Sequence, residues 1–228
     1  MDDAQALELL TDWYSRAEAE EWLQMQQISL QLLVEHYRPQ MSLLLGPRTL
    51  VSADFELVHA CANVKKSSVD GVVLNPDHLP FIANSFDFIV CSHWHECVQR
   101  PELLLAECSR VLAPEGVMVL LGTSSLALKR LHFSKVEYMQ RRGILQSPVW
   151  ARQMFSPARL IRMAEFWQLQ RVYVRYIHTP MQHKYYFDMV SMLGPLQSMY
   201  KIVLKKQVLS ISGALEAQSR LITGLGSY

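Results

Sequence analysis

The chain has 228 residues, half of them hydrophobic and 19% charged, which fits one folded domain with a short extension and excludes a disordered or fibrous protein. At this length roughly 70–75% of the extended chain's surface can be buried, so neither disulfides nor a structural metal is needed for stability. A net charge of +1 offers no electrostatic case for nucleic acid or an anionic membrane as the main partner.

Residues 5–37 read as helix, broken near Ser15. Leu7, Leu10, Trp13 and Tyr14 mark an apolar stripe, which Trp22, Leu23, Ile28, Leu32 and Leu33 continue at helical spacing. At that spacing Trp13, Tyr14 and Trp22 are read first as core and only second as a lid over a pocket. Pro39 stops the helix. The apolar run 41–46, ending in Gly46, predicts a buried strand, and 71–74 predicts another, closed by Asn75-Pro76-Asp77. Residues 86–91 form a strand whose only polar member is Asp87. A helix follows over 101–112, with Pro101 at its start, Glu102 in its first turn and Arg110 in its last. Its apolar face is Leu104, Cys108, Val111 and Leu112. Pro114-Glu115-Gly116 breaks the chain before the strand 117–121, the longest unbroken apolar run and far short of the ~20 residues of a membrane span.

Residues 123–153 are basic and irregular, with Lys129, Arg130, Lys135, Arg141 and Arg142 read as a solvated face before an anion-binding one. Ser156-Pro157 caps a helix through Trp167, 171–177 alternates as a half-buried strand, and 200–204 reads as another strand. The tail after Lys206 is rich in Ser and Gly. This divides the chain into an N-terminal helical segment (1–40), a main domain (41–206) and a tail (207–228). The acidic start lacks the basic and apolar regions of a secretory signal, and four cysteines without CxxC spacing read as reduced thiols in the cytoplasm.

Alternation of buried strands with helices predicts an α/β fold, a mostly parallel twisted sheet covered on both faces with an antiparallel C-terminal edge. Ligands in such sheets bind at the carboxyl ends of the strands, here Gly46, Asn75-Pro76 and Ser92-His93-Trp94.

The block Leu79-Pro80-Phe81 to Phe86-Asp87, continued by Glu96, Pro101, Glu107, Arg110 and Pro114-Glu115-Gly116 in order and at matching spacing, resembles class I S-adenosylmethionine-dependent methyltransferases, in particular the methyltransferase type 11 group. The resemblance covers roughly residues 35–205 and implies a Rossmann-like methyltransferase fold. It also implies S-adenosylmethionine as cofactor, and Gly46, Asn75, Pro76, Ser92 and His93 at the cofactor site. The chain departs from the family in the glycine-rich loop. Only Gly46 of three glycines remains, Pro47 and Arg48 follow it, and Leu44 stands where an acidic residue is usual. Twenty-four positions between Leu50 and Asn75 are too few for the roughly 45 that two helices and two strands require, so the fold is shortened around its second strand. Asp54 and Glu56 are weak stand-ins for the ribose carboxylate, and Asn75 replaces an aspartate that faces the adenine amino group.

The stretch His93-Trp94-His95-Glu96-Cys97 holds three kinds of metal ligand, and 93, 95 and 97 would alternate on an extended chain. No second cluster completes a site, so no metal is assigned and the readings left open are a substrate-side lip or structural polar residues. Methyl transfer from a sulfonium rests on positioning, with a general base optional. His93 is the best-placed base, although a hydrogen-bonded structural role is the simpler one. Asp87 and Arg110 read as structural. Two functions follow: a methyltransferase acting on an unknown small-molecule or macromolecular acceptor, or a pseudo-methyltransferase with a decayed cofactor site that serves as a binding or regulatory partner of another protein.

Overall fold

Runs of Leu, Val, Ile and Phe with no solvent-facing period can only be satisfied as strands covered on both sides, and they pair as such. The structure, a computed structural model, describes residues 3–15, 19–46, 50, 75–123, 153–177 and 199–207. Strands β1 (Ser42–Leu45), β2 (Phe86–Ser92), β3 (Leu112–Thr123), β4 (Leu169–Ile177) and β5 (Met199–Lys206) make one sheet in the order β1-β2-β3-β5-β4. β1, β2 and β3 are parallel, with Leu45 opposite Cys91 and Ser92 opposite Leu121. β5 runs antiparallel between β3 and β4. The expected mixed sheet with its antiparallel edge is thus present. The predicted strand at 72–74, the shortened connection and the candidates Asp54 and Glu56 lie outside the described residues, as do 124–152 and the tail.

Helices α1 (Asp3–Tyr14) and α2 (Glu20–Tyr37) precede β1. α2 ends where Arg38 turns left-handed at φ 47° and donates its N–H to the Val34 carbonyl, one residue before Pro39. The buried line of α2 runs through Trp22, Gln26, Leu30 and Leu33. Ile28 and Leu32, expected on the apolar stripe, are more than half exposed instead. The reason is helical geometry: at 3.6 residues per turn Ile28 and Leu32 fall on the side of α2 away from the line of Trp22, Leu30 and Leu33.

After β2 comes a single turn of helix, α3 (Trp94–Cys97), and then α4 (Pro101–Val111). α5 (Pro157–Phe166) begins with Ser156 accepting from the Arg159 N–H. Leu112 leaves the helix to open β3, so the expected break at Pro114–Gly116 is corrected: the strand runs through it as a bulge, with Glu115 left-handed at φ 64° and the register with β2 slipping between Phe86 and Phe88. Two charged anchors set the amino-terminal end of the parallel strands, opposite the end where β1 and β2 finish at Gly46 and Ser92. Asp87 accepts from the N–H groups of Gln40 and Met41 at 2.7 and 3.0 Å, fixing the entry to β1. Arg110 grips Glu107 through two bonds of 2.8 Å and donates to the Leu79 and Phe81 carbonyls, while Glu107 accepts from the Leu79 N–H. The bond with Arg110 holds the Glu107 carboxyl below its usual value. Both residues are structural, as read from the sequence.

The middle strands approach closely at Gly122, where a β-carbon would overlap the Tyr200 hydroxyl and ring and stand 2.7 Å from His95 Nε2. Gly122→Ala is therefore expected to lower stability by about 2 kcal/mol or more, with part regained in the double variant that adds Tyr200→Phe; thermal unfolding of the three proteins measures it.

Lys201 of β5 is buried, and its Nζ donates to the Ser29 hydroxyl and carbonyl of α2 at 2.6 and 3.2 Å. Burial, with Arg175 nearby, lowers its pKa from 10.5 to about 8. Below pH 8 both folded and unfolded chains carry the proton, and the folded one bears the desolvation. Between about 8 and 10.5 only the unfolded chain stays protonated, so this group adds stability as pH rises, by up to about 3 kcal/mol across the window. Wild type should gain on Lys201→Met between pH 8 and 10 in melting experiments; a constant difference between the two would contradict the assignment.

Candidate active site

β2 carries its apolar run into the sheet and ends on two polar residues, Ser92 and His93. His93 donates its backbone N–H to the Leu121 carbonyl, then turns left-handed at φ 59°. That conformation costs a non-glycine residue about 1–3 kcal/mol and ends the strand at once. The chain from 94 to 97 closes a helical turn, with Glu96 N–H bonded to the His93 carbonyl. The expectation of an extended 93–97 segment is therefore corrected: residues 93 and 96, not 93, 95 and 97, share a side.

All of His93, His95 and Glu96 are fully buried. Glu96 accepts from the backbone N–H of Thr123, from the Thr123 hydroxyl at 3.4 Å and from His93 Nδ1 at 2.9 Å. With the Nδ1 proton committed to the carboxylate, His93 Nε2 holds a lone pair and needs a donor. It finds one 3.2 Å away in the side-chain amide nitrogen of Gln26, on α2. That nitrogen also lies 2.9 Å from the Tyr14 hydroxyl and 3.2 Å from Met199 Sδ, so two protons face three acceptors. The Gln26 carbonyl accepts from the Tyr14 hydroxyl at 3.0 Å and from Ser92 Oγ at 3.4 Å. Burial pushes the Tyr14 phenol well above its usual range, keeping it a donor.

Beyond Glu96, His95 Nε2 and the Tyr200 hydroxyl share a bond of 3.0 Å. Burial lowers the pKa of His95 to about 4, so its ring is neutral at physiological pH and its 3.9 Å approach to Glu96 is no ion pair there. Its Nδ1 is buried without a hydrogen-bond partner. Burial likewise pushes the Cys91 thiol up to about 12, which leaves it unreactive. Among the described residues no group of three or more His, Cys, Asp or Glu could hold a metal.

Of the sequence candidates, Gly46, Ser92 and His93 come together. A β-carbon on Gly46 would stand 3.0 Å from that of Ser92 and 3.4 Å from Leu50, so the ends of β1 and β2 are in contact there. Leu44 is core. Asn75 and Pro76 lie on a separate turn, where Asn75 Oδ1 accepts from the Asp77 N–H at 3.0 Å and the Asn75 carbonyl accepts from the His78 N–H. An Arg100–Asp77 ion pair and the Arg110 contacts hold that turn against α4. Among the described residues no hydrogen bond joins Asn75 to Ser92 or His93. Gln26 and Thr123 were not singled out from the sequence, and Tyr14 was read there first as core and second as a lid. Gln26 left one signal: it is the polar member of the Trp22–Leu30–Leu33 line.

Residues 41–120 match the family profile described as "Methyltransferase domain". No curated protein matches the chain by sequence. Among solved structures, the chain is similar to an S-adenosylmethionine-dependent methyltransferase from Thermotoga maritima, at 14% identity and a TM-score of 0.59 over 89% of this chain and 100% of that one. It is also similar to the 1,6-didemethyltoxoflavin-N1-methyltransferase of Burkholderia thailandensis, solved with 1,6-didemethyltoxoflavin and S-adenosylhomocysteine bound, at 13% identity and 0.54 over 86% and 81%. The [4+2]-cyclase SpnF shares the fold at 13% identity and 0.56 over 80% and 81%. Residues 41–120 thus match a methyltransferase-domain profile, and the chain shares the fold of solved S-adenosylmethionine-dependent methyltransferases.

Proposed function

We propose that the chain is an S-adenosylmethionine-dependent methyltransferase whose cofactor lies across the carboxyl ends of β1 and β2 and the turn at Asn75. The observation that carries this reading is the contact of Gly46 with Ser92. It brings the carboxyl ends of the neighbouring parallel strands β1 and β2 together, at the place where open parallel sheets bind their ligands. There Gly46, Ser92 and His93 would border the cofactor's reactive end, and Asn75 would face its adenine edge. Bound there, the cofactor supplies an electrophilic methyl group and leaves as a neutral thioether; the chain's residues orient the acceptor against it and exclude water.

The acceptor is unidentified. Nothing in the comparisons favours the pseudoenzyme alternative. Among the described residues no helix is long and apolar enough to cross a membrane. Cys91 and Cys108 are buried thiols, which supports a reducing, cytoplasmic setting.

Calorimetric titration with S-adenosylmethionine and S-adenosylhomocysteine tests the proposal. Wild type should bind both. Asn75→Asp keeps the turn, because a carboxylate can accept from the Asp77 N–H as the amide does, and adds a charged acceptor for the adenine amino group. Affinity should rise several-fold, about 1 kcal/mol. Asn75→Leu should weaken binding by a comparable or larger factor. Absence of binding to wild type overturns the proposal, and binding that ignores both substitutions removes Asn75 from the site.

A further inference from the structure

The polar cluster at the end of β2 is oriented in one direction. Glu96 takes the Nδ1 proton of His93, so the imidazole presents a lone pair from Nε2. In free histidine the proton has a choice of two nitrogens; here the buried carboxylate makes it. The lone pair points toward α2, and the atom it meets is an amide nitrogen, Gln26 Nε2 at 3.2 Å. Around that amide stand the Tyr14 hydroxyl, Ser92 Oγ and Met199 Sδ. They are contributed by α1, β2 and β5, all fully or nearly fully buried. A neutral N–H donor therefore already occupies the space in front of a shielded, correctly protonated base, one residue from Ser92 and the proposed cofactor site.

We propose that the methyl acceptor is a nucleophile bearing an N–H or O–H, which binds to His93 Nε2 in the place held here by the Gln26 side-chain amide, with His93 as its base and Glu96 as a positioning residue. This rests on the methyltransferase reading above. As the acceptor's lone pair forms its bond to the methyl carbon, the methyl–sulfur bond breaks toward sulfur. The acceptor's proton passes to Nε2, and the imidazolium so formed is balanced by Glu96. The same geometry rejects carboxylate and other acceptors without a donor hydrogen, since their lone pairs would face that of Nε2 among buried side chains. Gln26 is the stand-in: it keeps the lone pair satisfied until an acceptor displaces it.

The first measurement needs no variant. Long-range proton–nitrogen NMR on protein with 15N-labelled histidine should find His93 protonated at Nδ1 and bare at Nε2. In Glu96→Gln, the Thr123 N–H retains the amide oxygen and the new NH2 faces Nδ1, so the proton should move to Nε2. A protein that only lost packing would not show that exchange. The second measurement uses Gln26→Ala with acetamide, which is the missing side-chain end. Acetamide should shift the Nε2 resonance back to its wild-type position and bind about tenfold or more tightly than acetate, which has no donor at neutral pH. A bare Nδ1 in wild type overturns the inference, as does acetate binding as well as acetamide. S-adenosylhomocysteine is titrated into the same samples. If it fails to bind wild type, the methyltransferase reading falls; if it binds while the NMR or acetamide result is negative, only the acceptor assignment falls.

Discussion

Glu96 is a carboxylate with no access to solvent, and its need for donors governs the geometry at the strand ends. An ion taken out of water costs several kcal/mol unless protein hydrogens replace the lost ones. The donors come from two neighbouring strands: the backbone and hydroxyl of Thr123 where β3 ends, and the His93 ring just past β2. The parallel register that puts Ser92 opposite Leu121 also brings Thr123 within reach. The Glu96 carbonyl in turn accepts from the Gln153 N–H, which ties the approach to α5 to the same point. Sheet ends, imidazole orientation and the entry to a helix from a distant part of the chain all answer to one buried charge.

The N-terminal helices are seated on that arrangement by polar contacts as much as by apolar ones. Trp13 and Trp22 pack edge to face at 5.1 Å and close the joint between α1 and α2. Where α2 meets the sheet, however, Gln26 reaches His93 and Ser92, and Ser29 holds Lys201. Each such bond adds little net stability, because water offers the same partners in the unfolded chain. Leaving any of them unmade inside the protein is expensive, so they fix where the helix sits far more than how firmly it is held.

The fold was legible from the sequence because its signals are local and redundant. The strands at 86–91 and 117–121 are continuous apolar runs, Pro101 and Ser156-Pro157 mark helix starts, and the block from Leu79 to Gly116 keeps family spacing. Asp87 and Arg110 were readable as structural for the same reason. The site was legible only in part. Ser92 and His93 follow from the rule that ligands gather at the ends of parallel strands. Gln26 does not, since its partner is far away in sequence and a lone glutamine on a helix has no pattern. Taking Ile28 and Leu32 as buried was the matching error: hydrophobicity alone counted them inward, although helical spacing puts them off the line of Trp22, Leu30 and Leu33. The helical turn at 94–97 was missed because it depends on the left-handed backbone at His93, which no neighbouring glycine announces.

That backbone conformation explains how two consecutive residues can serve one site. In a strand, neighbours point to opposite faces, so Ser92 and His93 would be separated by the sheet if β2 continued one residue further. The positive φ at His93 ends the alternation, and both side chains reach Gln26. The strain is sustained because the surroundings over-determine it: the His93 N–H is held by Leu121, its carbonyl by Glu96 N–H, and its ring by the Glu96 carboxylate. Backbone strain, buried charge and imidazole orientation are therefore one device. It places Ser92 between Gly46 and Gln26 and turns His93 onto the same glutamine, so the end of β1 and the helix α2 are joined through two consecutive residues.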